Sequence, residues 1–302
     1  MRARFIPLLL LALVGGAVSG WTQDMEPRAY SKTPIGMNFA VAGYAYSEGG
    51  LATDPAIPLE DAHLEIHTAF TAYVRSFGLL GRSCKADVVV PYAWVSGDAI
   101  FAGQPRSRKV EGFADPRFRF AMMFIGAPAM TLKESREYRG NFVMGGSVQV
   151  AAPLGQYDKG RLVNIGGNRW WVKPELGASR SLGKFDAELA FATTIFTDND
   201  DFLGQTREQD PIYSGQAHLV YSLRPGLWLA VDGVYYTGGR TRVNGIRGND
   251  LQENTRVGLT LAIPVNKNNS LKFYAGTGVV TRTGTDFDTI GIAWQTRWGG
   301  GL

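Results

Sequence analysis

The sequence predicts an all-β fold: a transmembrane antiparallel up-and-down β-barrel of about twelve strands. Three observations predict it. The N-terminus has the pattern of an export leader, no later apolar run reaches the length of a membrane-crossing helix, and the rest alternates with period two between turn-rich breaks.

The leader comes first. Arg2 and Arg4 precede the apolar run Phe5 to Val14, and Ala17 and Ser19 supply a small-x-small cleavage pattern. Residues 1–19 therefore read as a signal peptide and 20–302 as one outer-membrane barrel domain, with the mature chain starting near Gly20 or Trp21. An exported chain without a long apolar helix is either soluble or a closed barrel, because lipid leaves no unpaired backbone satisfied. Composition favours the barrel: glycine numbers 38, aromatics are 12% and charged residues only 19%. Arg2 and Arg4 account for two of the formal +4 charges, so the mature balance gives no reason to expect a nucleic-acid partner. Cys84 is the only cysteine, so no internal disulfide forms.

The strands follow in order. They are read near 36–48, 64–75, 86–102, 117–124, 141–152, 170–179, 185–195, 211–222, 227–237, 256–263, 270–282 and 288–298. In the second, Leu64, Ile66, Thr68, Phe70, Ala72 and Val74 are expected toward lipid, and Glu65, His67, Tyr73 and Arg75 toward the lumen. In the fourth, Phe118 and Phe120 oppose Arg117 and Arg119. Short inner turns are expected at 79–83, 181–184, 223–226 and 265–269, and a longer inner connection at 127–140, with a turn of helix at Thr131-Leu132-Lys133-Glu134. Outer loops are expected at 49–63, 103–114, 153–168, 197–210, 238–253 and 283–287. Trp170, Trp294 and Trp298 read as an interfacial girdle. A soluble β-sandwich would alternate too, but it would not set Glu, Arg, Lys, Asp and His along a face turned to its core.

The expected solute path follows from those faces: Glu65, His67, Tyr73, Arg75, Arg117, Arg119, Trp171, Lys173, Glu175, Glu188, His218, Asp232, Tyr236 and Arg256. Glu175 and Glu188 are the carboxylates expected to neutralise Arg117 and Arg119, because charges in a narrow lumen must pair. A catalytic alternative would use Ser147 or Ser214 with His63, His67 or His218, but no Gly-x-Ser-x-Gly elbow is present. Thr197-Asp198-Asn199-Asp200-Asp201 could offer oxygen ligands to calcium, although a solvated loop explains it as well. No cofactor motif is evident: the glycine pairs Gly238-Gly239 and Gly299-Gly300 precede no helix.

Several motifs carry a family resemblance: Pro27-Arg28-Ala29-Tyr30, Asp115-Pro116-Arg117-Phe118-Arg119, Pro153-Leu154-Gly155-Gln156-Tyr157-Asp158 and Asn168-Arg169-Trp170. They continue in Lys173-Pro174-Glu175-Leu176-Gly177, Arg224-Pro225-Gly226-Leu227-Trp228, Tyr235-Tyr236-Thr237-Gly238-Gly239-Arg240 and Asp286-Phe287-Asp288. With these the chain resembles the outer-membrane transporters grouped under the phenol meta-cleavage pathway. The resemblance implies a barrel and passive passage of small hydrophobic or aromatic compounds such as phenolics. Outer-membrane lipid, such solutes and the barrel-assembly machinery are the expected partners. An outer-membrane hydrolase and a structural barrel with a closed lumen are the alternatives.

Overall fold

Alternation becomes a closed wall in the computed structural model, which describes residues 25–52 and 59–301. The expected leader lies outside them. In chain order the strands are β1 (Met37–Ala52), β2 (Leu59–Leu79), β3 (Arg82–Phe101), β4 (Gln104–Phe113), β5 (Arg117–Ile125), β6 (Phe142–Ala151), β7 (Trp171–Leu182) and β8 (Phe185–Phe196). Then come β9 (Asn199–Phe202), β10 (Gln205–Gln209), β11 (Ile212–Arg224), β12 (Leu227–Gly238), β13 (Thr241–Val243), β14 (Ile246–Arg247), β15 (Gln252–Pro264), β16 (Asn269–Thr281) and β17 (Gly284–Gly299). All except β4, β9, β10, β13 and β14 form the twelve-stranded antiparallel barrel, closed where β1 pairs with β17 and β2 with β3. Each expected strand is present.

The two ends differ as the loop lengths predict. At the inner end β2 and β3 turn through Leu80-Gly81 and β11 and β12 through Pro225-Gly226, with positive φ at Leu80, Gly81 and Gly226. The longer inner connection holds α1 (Leu132–Glu137), closed by a capping box in which Thr131 and Glu134 bond each other's backbone amide. At the outer end three expected loops, 103–114, 197–210 and 238–253, are partly strand. Residues 104–113 form β4, which extends the outer half of β3, and β14-β13-β10-β9 make a small second sheet. We call that sheet, with residues 153–168, the cap.

Phe118, Phe120, Leu176, Leu189, Phe191, Leu219, Val231 and Leu259 stand exposed on the outer wall, as a lipid-facing band requires. Trp170, Trp294 and Trp298 are exposed near strand ends.

One face assignment is overturned. Tyr73 pairs across to Val88 and Val88 to Phe118, while Arg75 pairs to Ala86 and Ala86 to Phe120. Directly opposed residues share a side, so Glu65, His67, Tyr73 and Arg75 point outward with Phe118 and Phe120. Leu64 and Ile66 face inward and are buried with Val95, Ala114, Ile165 and Phe287 under the cap. The outward polar residues fall near the two rims: Tyr73 lies beside Trp298, and His67 beside Tyr44 and Tyr46. Such side chains sit comfortably in interfacial belts, leaving Ala69 and Thr71 between them.

Candidate functional site: the lumen and its inner segment

Residues 25–36 run inside the barrel, and the interior side chains are organised around them. Arg119 is the central cation. Its Nε donates to Asp87 at 2.8 Å, and its Nη1 and Nη2 donate to the two oxygens of Glu26 at 2.6 and 3.2 Å. Arg28 donates to Asp186 at 3.2 Å. The Tyr30 hydroxyl donates to Glu175 at 2.9 Å, and its backbone amide approaches Glu188 at 3.4 Å. Lys85 donates to the Ala29 carbonyl, Ser179 to that of Tyr30, Ser83 to that of Thr33 and Ser76 to that of Pro34. The methyl end of Met25 lies where a Cβ on Gly258 or Gly276 would be, at 2.7 and 3.1 Å. Contacts from β2, β3, β5, β7, β8, β15 and β16 thus hold one short segment across the lumen.

Of the expected path residues, Arg117, Arg119, Trp171, Lys173, Glu175, Glu188, His218, Asp232, Tyr236 and Arg256 face inward. Their registers connect directly: Arg119 opposes Gln149 and Gln149 opposes Lys173, while Glu188 opposes His218 and His218 opposes Asp232. His218 Nδ1 meets Asp232 Oδ1 at 2.7 Å, and the other Asp232 oxygen accepts from Thr260 at 2.9 Å. Tyr236 is 1% exposed and accepts from Asn254. Arg256 donates to the Phe287 carbonyl at 2.7 Å. Glu65, His67, Tyr73 and Arg75 are not brought to the lumen. The expected neutralisation also differs: Arg119 uses Asp87 and Glu26, whereas Glu175 lies 3.5 Å from Lys173.

The inner segment was missed because twelve residues of coil have no period to read. The signal was Pro27-Arg28-Ala29-Tyr30 itself, a charged and aromatic run before the first strand. Other motif residues build the cap. Asp115 accepts backbone bonds from Gly155 at 2.9 Å and Gly167 at 2.7 Å, stapling both ends of the 153–168 loop to the start of β5. Burial pushes the Asp115 carboxyl above its ordinary value, and those amides oppose the shift. Asn199 donates to the Tyr157 hydroxyl at 2.8 Å. The expected calcium loop includes β9, whose Asn199 is buried with its oxygen already accepting from Asn168, and Asp201 lies 3.6 Å from Lys159. Asp198 and Asp200 point to the exposed side.

The family described as "Putative MetA-pathway of phenol degradation" matches residues 42–294. No curated protein matches. Among solved structures, the COG4313 outer membrane channel from Pseudomonas putida F1 is similar at 22% identity and a TM-score of 0.76, covering 91% of this chain and 100% of that one. The beta domain of the Bordetella autotransporter BrkA is 9% identical over 86% of this chain and 99% of its own, with a TM-score of 0.49.

Proposed function

The chain belongs to that phenol-degradation family, and we propose that it is a passive outer-membrane channel for small aromatic or otherwise hydrophobic solutes, kept narrow by its own residues 25–36. The observation that carries this reading is the inner segment, which crosses the lumen on side-chain contacts and is none of the barrel's strands. The wall it crosses is mixed. Arg119, Lys173 and Glu188 line one stretch, while Phe70, Ala72 and Val74 from β2 add half-buried inward apolar surface. Weak, repeated contacts of this kind suit passage, because a solute must enter and also leave. We further assign residues 1–19 to a removed signal peptide and insertion to the barrel-assembly machinery. The fold matches that of a channel, and the inward His218 is engaged by Asp232 rather than by a serine.

Planar-bilayer recording on the refolded chain tests the reading. Stepwise conductance that phenol interrupts is expected. Silence from both the wild type and a variant lacking residues 25–36 would leave a structural wall instead.

A further inference from the structure

Two arginines at the outer mouth are not used by the passage reading. Arg169, just before β7, is 5% exposed, and Arg207 on β10 is 6% exposed. Burial, and then the charge of Arg207, bring Arg169 down to about 9, and burial brings Arg207 down to about 10. Both therefore remain cations at neutral pH. Asp115 and Asp198 act on the Arg169 charge in the opposite sense, but Asp115 already accepts from Gly155 and Gly167.

The bonding of Arg169 is incomplete. Its Nη2 donates to the neutral side-chain oxygen of Gln209, and its Nη1 is buried with no hydrogen-bond partner among the described residues. Gln209 passes the connection on to the Gly239 carbonyl at 2.8 Å, and the buried Nε of the adjoining Arg240 also lacks a partner. A guanidinium N–H shut away from water without an acceptor is costly, and a group left in that state asks for one. The surroundings specify what kind. The Arg169 guanidinium lies 4.4 Å from the Phe196 ring centre, and Phe196 packs on Ile212, Val234 and Tyr236 together with Met25. A cation with one unbonded N–H thus adjoins the ring of Phe196, which with Met25 packs on the buried Ile212, Val234 and Tyr236.

We propose that Arg169, beside Arg207, receives the carboxylate of a small aromatic acid whose ring rests against the half-buried Phe196. The place of this subsite on a solute route rests on the passage reading; binding itself does not need conduction.

Calorimetric titration of the full-length protein, refolded in detergent, with benzoate and its neutral analogue benzyl alcohol tests the assignment. Benzoate should bind the wild type at least about tenfold more tightly than benzyl alcohol, the size of one charge-assisted hydrogen bond. Arg169→Gln should weaken benzoate by about 10- to 100-fold and leave benzyl alcohol unchanged. Arg161→Gln, which removes an exposed charge from the same loop, should change neither. If Arg169→Gln fails the heat-shift gel assay for a folded barrel, Arg169→Lys, which keeps the charge and loses the forked geometry, must still weaken benzoate selectively. Equal binding of benzoate and benzyl alcohol, undiminished benzoate binding to Arg169→Gln, or acetate binding as tightly as benzoate would each overturn the proposal. Benzoate binding by a protein that never conducts would retain the subsite and defeat the passage reading alone.

Discussion

Replacing Gly177 by alanine should release the inner segment. Gly177 faces the lumen from β7, and a Cβ built there falls 2.1 Å from Cε2 and 2.4 Å from Cδ2 of Tyr30. Carbon atoms in ordinary contact stay about 3.5 Å apart or more, so the ring must retreat by about 1.4 Å. That movement breaks the 2.9 Å bond from the Tyr30 hydroxyl to Glu175 and disturbs the amide contact with Glu188. A hydrogen bond to a charged acceptor contributes about 1.5–3 kcal/mol, and unburying an aromatic ring costs about as much again. The lower ends together give about 3 kcal/mol, enough to change the ratio of seated to released segment by about a hundredfold. In planar bilayers Gly177→Ala should therefore dwell far longer in its high-conductance state than the wild type. Tyr30→Ala should do the same with the wall untouched. A folded Gly177→Ala channel with wild-type dwell times would refute the reasoning. So would an effect of Gly177→Ala that Tyr30→Ala does not share, since damage to β7 would then be the cause.

Further outcomes follow from other contacts. Leu259→Arg puts a charge on the lipid face and should destabilise the barrel by about 2–4 kcal/mol if near the midplane, read by urea unfolding in vesicles. Arg at Thr71 should cost a comparable amount, because β2 turns that residue outward; a silent Thr71→Arg would restore the opposite register. Asp115→Ala leaves the Gly155 and Gly167 amides without their acceptor, so protease nicking within 153–168 should rise while barrel stability is kept. Glu134 is held below its ordinary 4.5 by bonds from the Thr131 backbone and hydroxyl. Its contribution is thus present above that value and lost as pH falls through the lowered one. Hydrogen exchange at the Thr131 amide should quicken in that acid range in wild type and lose the dependence in Glu134→Gln.

How far the fold was legible depends on what repeats. Every barrel strand shows as alternation, since each has one wall face toward lipid and one away from it. The sides of β2 were not legible from polarity alone. Its apolar set, Leu64 to Val74, reads as lipid-facing, yet its outer half packs under the cap against Ile165 and Phe287, contacts that no local pattern encodes. A one-residue error in register exchanges both faces, so Glu65, His67, Tyr73 and Arg75 were misplaced together. Arg119 was found as an inward cation, but its partner Glu26 was not, because Glu26 lies in coil ahead of any strand. The cap was visible only as motif residues whose roles, such as Asp115 gathering two glycine amides, depend on chain ends 40 or more positions apart.

Glycines carry the information that polarity left out. Phe70 occupies the space beside Gly43, and Leu64 the space beside Gly97, so these two inward side chains of β2 each face a missing Cβ on a neighbouring strand. The inner segment is accommodated in the same way, with Gly177 behind Tyr30 and Gly258 and Gly276 behind Met25. A twelve-stranded barrel has a lumen between one filled by side chains and one left as a wide pore. Bare wall positions are what make room in it for a second chain segment, and they fall where the segment's two bulkiest contacts lie. Polar attachments add to these: Glu26 to Arg119, Arg28 to Asp186, and Lys85 and three serines to backbone carbonyls. Water can take over some of these bonds, whereas it cannot replace packed apolar contacts. The wall is therefore shaped to seat the segment, and on the proposed reading Tyr30 and Met25 are the contacts that any widening of the lumen has to break.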